Sequence, residues 1–353
     1  MKEIDLLNTP QAKLLIEDNV AAVTSETGLL TVSSAIYNGG FKRVKAILNI
    51  QVPEGYSDVQ LHNDPLHLVK ISSKKVGVSE NFLAMITAAK IRNMMHVAKT
   101  DDGITVNVVA TAGASHGESA GEPINADHLD GTINIIVLIN ASLTDSCLVA
   151  AFVTATEAKT AALNDLDIRS RYSGEAATGS ITDSLSVATT GTGPTVELGG
   201  PASELGQLIG SCVRTAVYES LQKQDGTLPS RSVTARLRAR HQSVERLASE
   251  FSKARSLNAD EKVLTEKLNW ALANPVNASC LLAAAKLDDD VKKGLIPVEF
   301  GSVASASKQF ANLLSKGQKY ERIPEDELEA VNVSPFLKQT IFRVLLCETS
   351  KKL

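Results

Sequence analysis

The sequence predicts an α+β fold: a mixed sheet packed with helices, followed by a small all-helical C-terminal domain. Three observations predict it. Short β-branched runs separated by turn residues crowd the first 140 positions, long apolar helical stretches come later, and strand-like text vanishes after Asp225-Gly-Thr-Leu-Pro229. At 353 residues the chain is longer than one ordinary core supports, so two domains are expected, residues 1–226 and 231–353.

Residues 20–24, 29–36, 44–52 and 67–72 are short and turn-bounded, and read as a meander of strands. Ser79 is placed to cap a helix running to about Met94, with Phe82, Met85, Ile86 and Ala89 on one face. A hairpin follows, with strands at 96–99 and 105–111 joined by Asp101-Asp-Gly103. Residues 132–140 form a strongly β-prone central strand. Ser142 with Asp145 then suggests the start of a helix reaching Leu163. Its stripes, Leu148, Phe152, Ala155, Lys159, Ala162 on one side and Val149, Val153, Glu157, Ala161 on the other, predict burial on both sides. A strand at 184–190, a Gly/Pro-rich loop at 191–200 and a helix at 203–222 complete the first domain. In the second, Asn258 and Glu261 mark a helix start, and several prolines punctuate the helices.

Composition narrows the function. A formal charge of −4 gives no global pull toward nucleic acid or anionic membrane. The basic stretch 231–255, seven Arg/Lys against two Glu, lacks interleaved aromatics and reads as a solvated helix face. No stretch has the length of a membrane span or the form of a signal peptide, and Cys147, Cys212, Cys280 and Cys347 lack metal or disulfide spacing. These features lead us to expect a cytoplasmic protein with reduced cysteines and neither nucleic acid nor membrane as partner. No nucleotide-binding glycine motif sits between strand and helix.

The chemistry concentrates in a few clusters. Glu157 and Lys159 lie in apolar helix text and, two residues apart, cannot face each other, so each needs its own partner or function. Asp183 opens a strand soon afterwards, and two carboxylates from neighbouring elements can divide acid and base work. Asn38-Gly39-Gly40 closes a strand with amides able to hold an oxyanion or carbonyl, or simply forms a tight turn. Ser115-His116 follows the strand ending at Thr111 and could be a plain loop; Asn134 and Asn140 are amides on the central strand that must find partners. His62, Asp64 and His67 could in principle meet a metal, but an exposed loop fits them better and no metal site is expected.

Taken together, Val32-Ser-Ser-Ala-Ile-Tyr-Asn-Gly-Gly40, Thr111-Ala-Gly113, Gly131-Thr-Ile-Asn-Ile135, Ala155-Thr-Glu-Ala-Lys-Thr-Ala-Ala-Leu163 and Ala177-Thr-Gly-Ser-Ile-Thr-Asp-Ser184 resemble the adenosylcobinamide amidohydrolase family of corrinoid salvage. The blocks occur in the family's order over about the first 225 residues. The resemblance implies hydrolysis of the amide joining the corrin propionate to its aminopropanol arm, with a small-molecule corrinoid as substrate and no organic cofactor. A corrinoid-binding protein without turnover is the alternative.

On that resemblance Glu157 is expected as base or acid, Asp183 as its complement or orienter, and Lys159 as counter-charge. Asn38, Gly39, Gly40, Thr111, Gly113, Asn134 and Thr182 are expected around the substrate. Thr111 or Thr182 as a nucleophile and direct attack by water both remain open. His116 stands where the family pattern has Asn, and Ser180-Ile181 where Thr-Gly is more usual. The tail, Leu272-Ala-Asn-Pro-Val-Asn-Ala-Ser-Cys-Leu-Leu-Ala-Ala284 with Lys293-Gly-Leu-Ile-Pro297, is faintly similar to α-ribazole phosphate phosphatases. Around 301–308 it lacks their metal-holding carboxylates, which implies an inactive module.

Overall fold

The computed structural model describes residues 1–55, 64–114, 117–123, 131–226, 230–257, 259–296, 302–312 and 325–349. It divides into two compact units, Met1–Tyr172 with Ala176–Pro229, and Ser173–Glu175 with Ser230–Leu353.

The first unit is built on a curled mixed sheet. Its strands are β1 (Lys2–Asp5), β2 (Ala12–Glu17), β3 (Val20–Ser33), β4 (Gly40–Gln51), β5 (Phe82–Thr87), β6 (Met95–Asp101), β7 (Ile104–Gly113), β8 (Thr132–Asn140) and β10 (Ser184–Thr189), with β9 (Ser142–Leu143) and β11 (Thr195–Val196) forming a separate small ladder. The main path runs β1-β2-β3-β10-β8-β7-β6, while β4 pairs with β3 along its other edge and β5 adds in parallel to β4. The stretches 20–24 and 29–36, expected as two strands, are largely one: β3 continues through an irregularity between Thr24 and Leu29. Its first half meets β2 and its second half meets β10.

Alternation along β8 explains the layers. Ile133, Ile135, Val137 and Ile139 enter one core with the helices α2 (Asp145–Asp165) and α3 (Glu204–Asp225). Ile136 and Leu138 face the inside of the curl, where they meet Val23, Leu29, Ile47, Leu83 and Met85 from the opposite wall. The helix α1 (Pro65–Lys75) covers the outer face of β3, β4 and β5 through Leu68 and Val69.

Several expectations are corrected. Residues 67–72 are helical, not a strand: the Asp64 side chain accepts from the His67 N–H at 3.0 Å and Pro65 occupies the first turn, a start signal that outweighs the short apolar run. The helix expected from Ser79 to Met94 is instead β5 followed by a 3-10 turn at Ile91–Asn93. Leu83 and Met85 enter one core and Phe82 and Ala84 another, and a strand apolar on both faces mimics a helical stripe. At α2 the cap is Thr144, which accepts from Cys147 N at 3.2 Å, because Ser142 is still extended and paired with Thr195.

The helix α2 is not buried on both sides. Ala151, Ala155 and Ala162 are buried, whereas Val149 and Val153 are half exposed. It is long and apolar enough to cross a membrane, with mean hydropathy 1.2, yet one face packs on the sheet. Burial pushes the Cys212 thiol up to about 11 and raises Cys147 as well, so both stay protonated.

The second unit is helical: α4 (Val233–Ala239), α5 (Val244–Phe251), α6 (Glu261–Leu272), α7 (Pro275–Lys292), α8 (Val303–Asn312), α9 (Glu325–Glu329) and α10 (Pro335–Thr349). The basic stretch is two helices, broken at His241 with φ 59. Asp260 caps α6, accepting from the Val263 N–H at 2.9 Å, and the expected cap Asn258 lies outside the described residues. Phe251, Leu281, Ile341 and Phe342 lie in its core. Within it Asp288 of α7 is buried and accepts from the Phe336 and Leu337 N–H groups at 2.9 and 2.8 Å, capping α10. Burial raises the Asp288 carboxyl above its ordinary value despite those donors. A raised folded-state value means that this group favours the native state when protonated, fully below pH ~4, and that the contribution is lost as pH rises through the folded value. Denaturation of the full chain followed at Trp270, its single tryptophan, should show that acid-side contribution in the wild type and not in Asp288→Asn. Equal pH slopes for the two proteins would contradict it.

Candidate active site

The N-terminal ends of β8 and β10 lie side by side in parallel, Asn134 opposite Ser184. The loop entering β10 is fixed there by one carboxylate. Asp183 accepts from the Ile133 N–H at 3.1 Å, from the Ser180 N–H at 3.1 and 3.2 Å, from the Ser180 hydroxyl, and from the Lys159 ammonium. Lys159 and Asp183 are mostly shielded, with side chains 13% and 16% exposed, so this ion pair is worth more than one in open water. Gly179 makes room for it: a Cβ there would come within 2.5 Å of Asp183 Oδ2 and 2.9 Å of Lys159 Nζ. Beside the pair, the Thr182 hydroxyl lies 2.9 Å from that of Thr132 and donates to the Gly131 carbonyl at 3.3 Å.

A second cluster continues from the first along β8. Thr132 and Asn134 share one face of the strand. The buried Asn134 amide donates to Asn49 Oδ1 at 2.8 Å and to the Ile86 carbonyl at 3.0 Å, and Asn49 in turn donates to Thr111 Oγ1 at 2.8 Å. Three strands from opposite walls of the curl, β4, β7 and β8, are thereby joined through side chains. Asn134 Oδ1 is buried without a donor.

Glu157 lies elsewhere. Expected in a buried position, it is exposed, and makes no hydrogen bond or ion pair with the described residues. It lines a groove of about 730 Å³ between α2 and α3, with Ala161, Asp165, Arg214 and Tyr218. Two positions along a helix rotate a side chain by roughly 200°, which puts Glu157 on the flank opposite Lys159. The structure thus unites Lys159 with Asp183 and does not unite Glu157 with either.

The other expected residues also take definite places. One amide hydrogen of Asn38, in left-handed backbone with φ 57, goes to the Phe82 carbonyl at 2.9 Å, and its oxygen accepts from Lys42 at 2.6 Å. Gly39 passes so close to Ala35 that a Cβ would meet its carbonyl at 2.4 Å, and Gly40 pairs with Ser33. This trio builds a tight turn, the second of the two readings that the sequence allowed. Gly113 is a packing glycine beneath the C-terminal end of α3, with Gln224 Cγ 3.5 Å from where its Cβ would be. Asn140 belongs to a polar cluster at the far end of β8, with Gln11 and Thr190. Ser115, His116 and His62 lie outside the described residues. Among the described residues no three His, Cys, Asp or Glu side chains gather as a metal site would.

The family model for adenosylcobinamide amidohydrolases matches residues 6–229, nearly all of the sheet unit. The chain belongs to the adenosylcobinamide amidohydrolase family. Among curated relatives, an uncharacterised protein of Methanocaldococcus jannaschii is 32% identical over 207 residues, 53% of this chain and 80% of that one. An adenosylcobinamide amidohydrolase of Methanosarcina mazei is 32% identical over 150 residues, covering 42% of this chain and 63% of the relative. A crystal structure of a Pyrococcus horikoshii protein aligns at 14% identity with a TM-score of 0.33, over 60% of this chain and 79% of that one.

Sequence reading missed Asn49, Thr132, Gly179 and the direct part played by Ser180 in this amidohydrolase unit. Asn49 carried a signal, a lone amide in the apolar run Ile47-Leu48-Asn49-Ile50. Gly179→Ala is expected to open the Lys159–Asp183 pair and cost about 2–4 kcal/mol, read as a lower melting temperature. An unchanged melting temperature would mean that the loop adapts and the pair is not held as described.

Proposed function

We propose that the sheet unit hydrolyses the amide linking the aminopropanol arm to the corrin ring of adenosylcobinamide, giving adenosylcobyric acid and the free amino alcohol, in the cytoplasm. Its membership of the family over residues 6–229 supports the hydrolase class. The observation that carries the chemistry is the Lys159 ammonium held by Asp183 where β8 and β10 begin.

Amide hydrolysis needs a nucleophile, a positive or hydrogen-bonding partner for the tetrahedral oxyanion, and a proton for the leaving nitrogen. An ammonium has three N–H donors; one meets Asp183, and two remain for a substrate carbonyl. Lys159 in this reading receives the oxyanion, and the protons that the attacking water gives up pass to the leaving nitrogen, so that the C–N bond breaks to a carboxylate and the protonated amino alcohol. Asp183, with its lone pairs taken up by Lys159, Ser180 and the Ile133 N–H, orients that charge rather than acting as the base. The Thr182 hydroxyl is tied to Thr132 and Gly131, and this favours direct attack by water over a Thr182 nucleophile. Glu157 on the opposite flank takes no part in the bond-breaking step.

For the helical unit we propose no phosphatase chemistry. Its buried carboxylates are engaged structurally, Asp288 as the cap of α10 and Asp289 beside Arg240 at 3.6 Å.

Chromatography of adenosylcobinamide incubated with the protein tests the reaction through the appearance of adenosylcobyric acid. Lys159→Met should retain the fold and lower kcat by about 10²–10³, the scale for losing one oxyanion partner, while Glu157→Gln stays within about threefold of wild type. A fully active folded Lys159→Met, or an inactive folded Glu157→Gln, would return the central role to the Glu157 flank. Retention of the corrinoid with no product from the wild type would favour the corrinoid-binding alternative.

A further inference from the structure

We infer that the apolar strip formed by Val32 and Phe41, with Ile36 on the adjoining turn, is the seat of the corrin macrocycle; this rests on the amidohydrolase reading above. Val187, Val32 and Phe41 lie opposite one another on β10, β3 and β4, a single rung of the sheet. Burial falls along the rung. Val187 is fully buried, Val32 is half-buried against the core of α2 and α3, and Phe41 is 47% exposed. The cover provided by α2 ends over β3, and the strip continues beyond it.

The turn beyond this rung is rigid. The Ser34 N–H donates to the Leu185 carbonyl at 3.0 Å, the Leu185 N–H donates to Ser34 Oγ at 3.0 Å, and Tyr37 and Ala84 exchange backbone bonds at 3.1 Å. With the Asn38 anchor, these bonds hold Ile36 58% exposed on a fixed support. A contiguous exposed apolar patch, unlike a single exposed apolar residue, marks a ligand or partner surface.

Continuity selects the occupant. Leu185, to which the turn is stapled, stands two residues after Asp183, and Phe152, half-buried toward the same core, is seven residues before Lys159 on nearly the same line of α2. The strip therefore adjoins the flank of α2 that carries the ammonium. A corrin is a broad, flattened ring fringed with methyl groups and amide arms. Laid on Val32, Phe41 and Ile36, it would bury apolar edge there while its aminopropanol-bearing arm reaches Lys159.

The test compares wild type with the double variant Ile36→Ser/Phe41→Ser and the control Ile71→Ser, which alters a 46% exposed residue of α1. Adenosylcobinamide retained in ultrafiltration is read from its visible absorbance, alongside steady-state kinetics, melting and gel filtration. The double variant should melt as wild type, raise KM by about tenfold or more, keep kcat within about threefold, and retain correspondingly less corrinoid. Ile71→Ser should match wild type. An unchanged KM in the double variant of an active protein overturns the seat and leaves the amidohydrolase reading standing. An equal KM rise in Ile71→Ser, or a change in molecular mass without a change in KM, overturns it too, the latter marking a surface for a second copy. If the wild type neither retains nor hydrolyses adenosylcobinamide, the reading beneath the inference has failed.

Discussion

The Asp183 carboxylate is the constraint on which the rest of the site depends. It binds the last turns of a loop through Ser180, the start of β8 through the Ile133 N–H, and the middle of α2 through Lys159. A buried ammonium without a partner would be costly, and an unpaired loop at a strand entrance would be free to wander. One side chain resolves both. It also fixes the register in which β10 enters the sheet, since Ser184 is the next residue and pairs opposite Asn134.

From that fixed point two layers of chemistry diverge. Inside the curl, the buried Asn49, Thr111 and Asn134 are linked in one hydrogen-bonded chain. Such a network rigidifies the mouth of the sheet and selects a single packing of its walls. On the helix side, the same strand ends carry the partly shielded Lys159–Asp183 pair. A charged group at the border of a water-poor surface acts more strongly on a substrate than one in solvent, because the surrounding medium screens it less.

Much of this was legible in the sequence, and the failures have physical reasons. The strand at 132–140 stands out by its nearly unbroken β-branched run, and the helices beginning near 145 and 203 by their length and freedom from proline. The stretch from Phe82 to Thr87 misleads because it is apolar on both faces of a strand, and such a run satisfies a helical template equally well. Lys159 was found because a lysine in apolar helix text demands a partner, and Asp183 because a carboxylate at a strand entrance is unusual. Glu157 satisfied the same sequence criterion and turned out exposed, since periodicity gives the stripe but not which stripe the sheet covers. Asn49 and Gly179 act through contacts 85 residues away along the chain in one case and through missing volume in the other, and no local pattern encodes either.

The placement of β10 has a further consequence, for the order in which the molecule is assembled. It is among the last strands in the chain, yet it inserts between β3 and β8, near the middle of the sheet. Until residue 189 has emerged, the second half of β3 and one edge of β8 have no mutual partner, and the hydrophobic walls of the curl cannot close. Such long-range pairing makes for slow closure, with strand edges open to unwanted association in the interval. The early strands thus form a template awaiting its keystone. The loop that precedes β10 takes shape in the same event that closes the sheet, so folding of the curled wall and formation of the Lys159–Asp183 pair become one step.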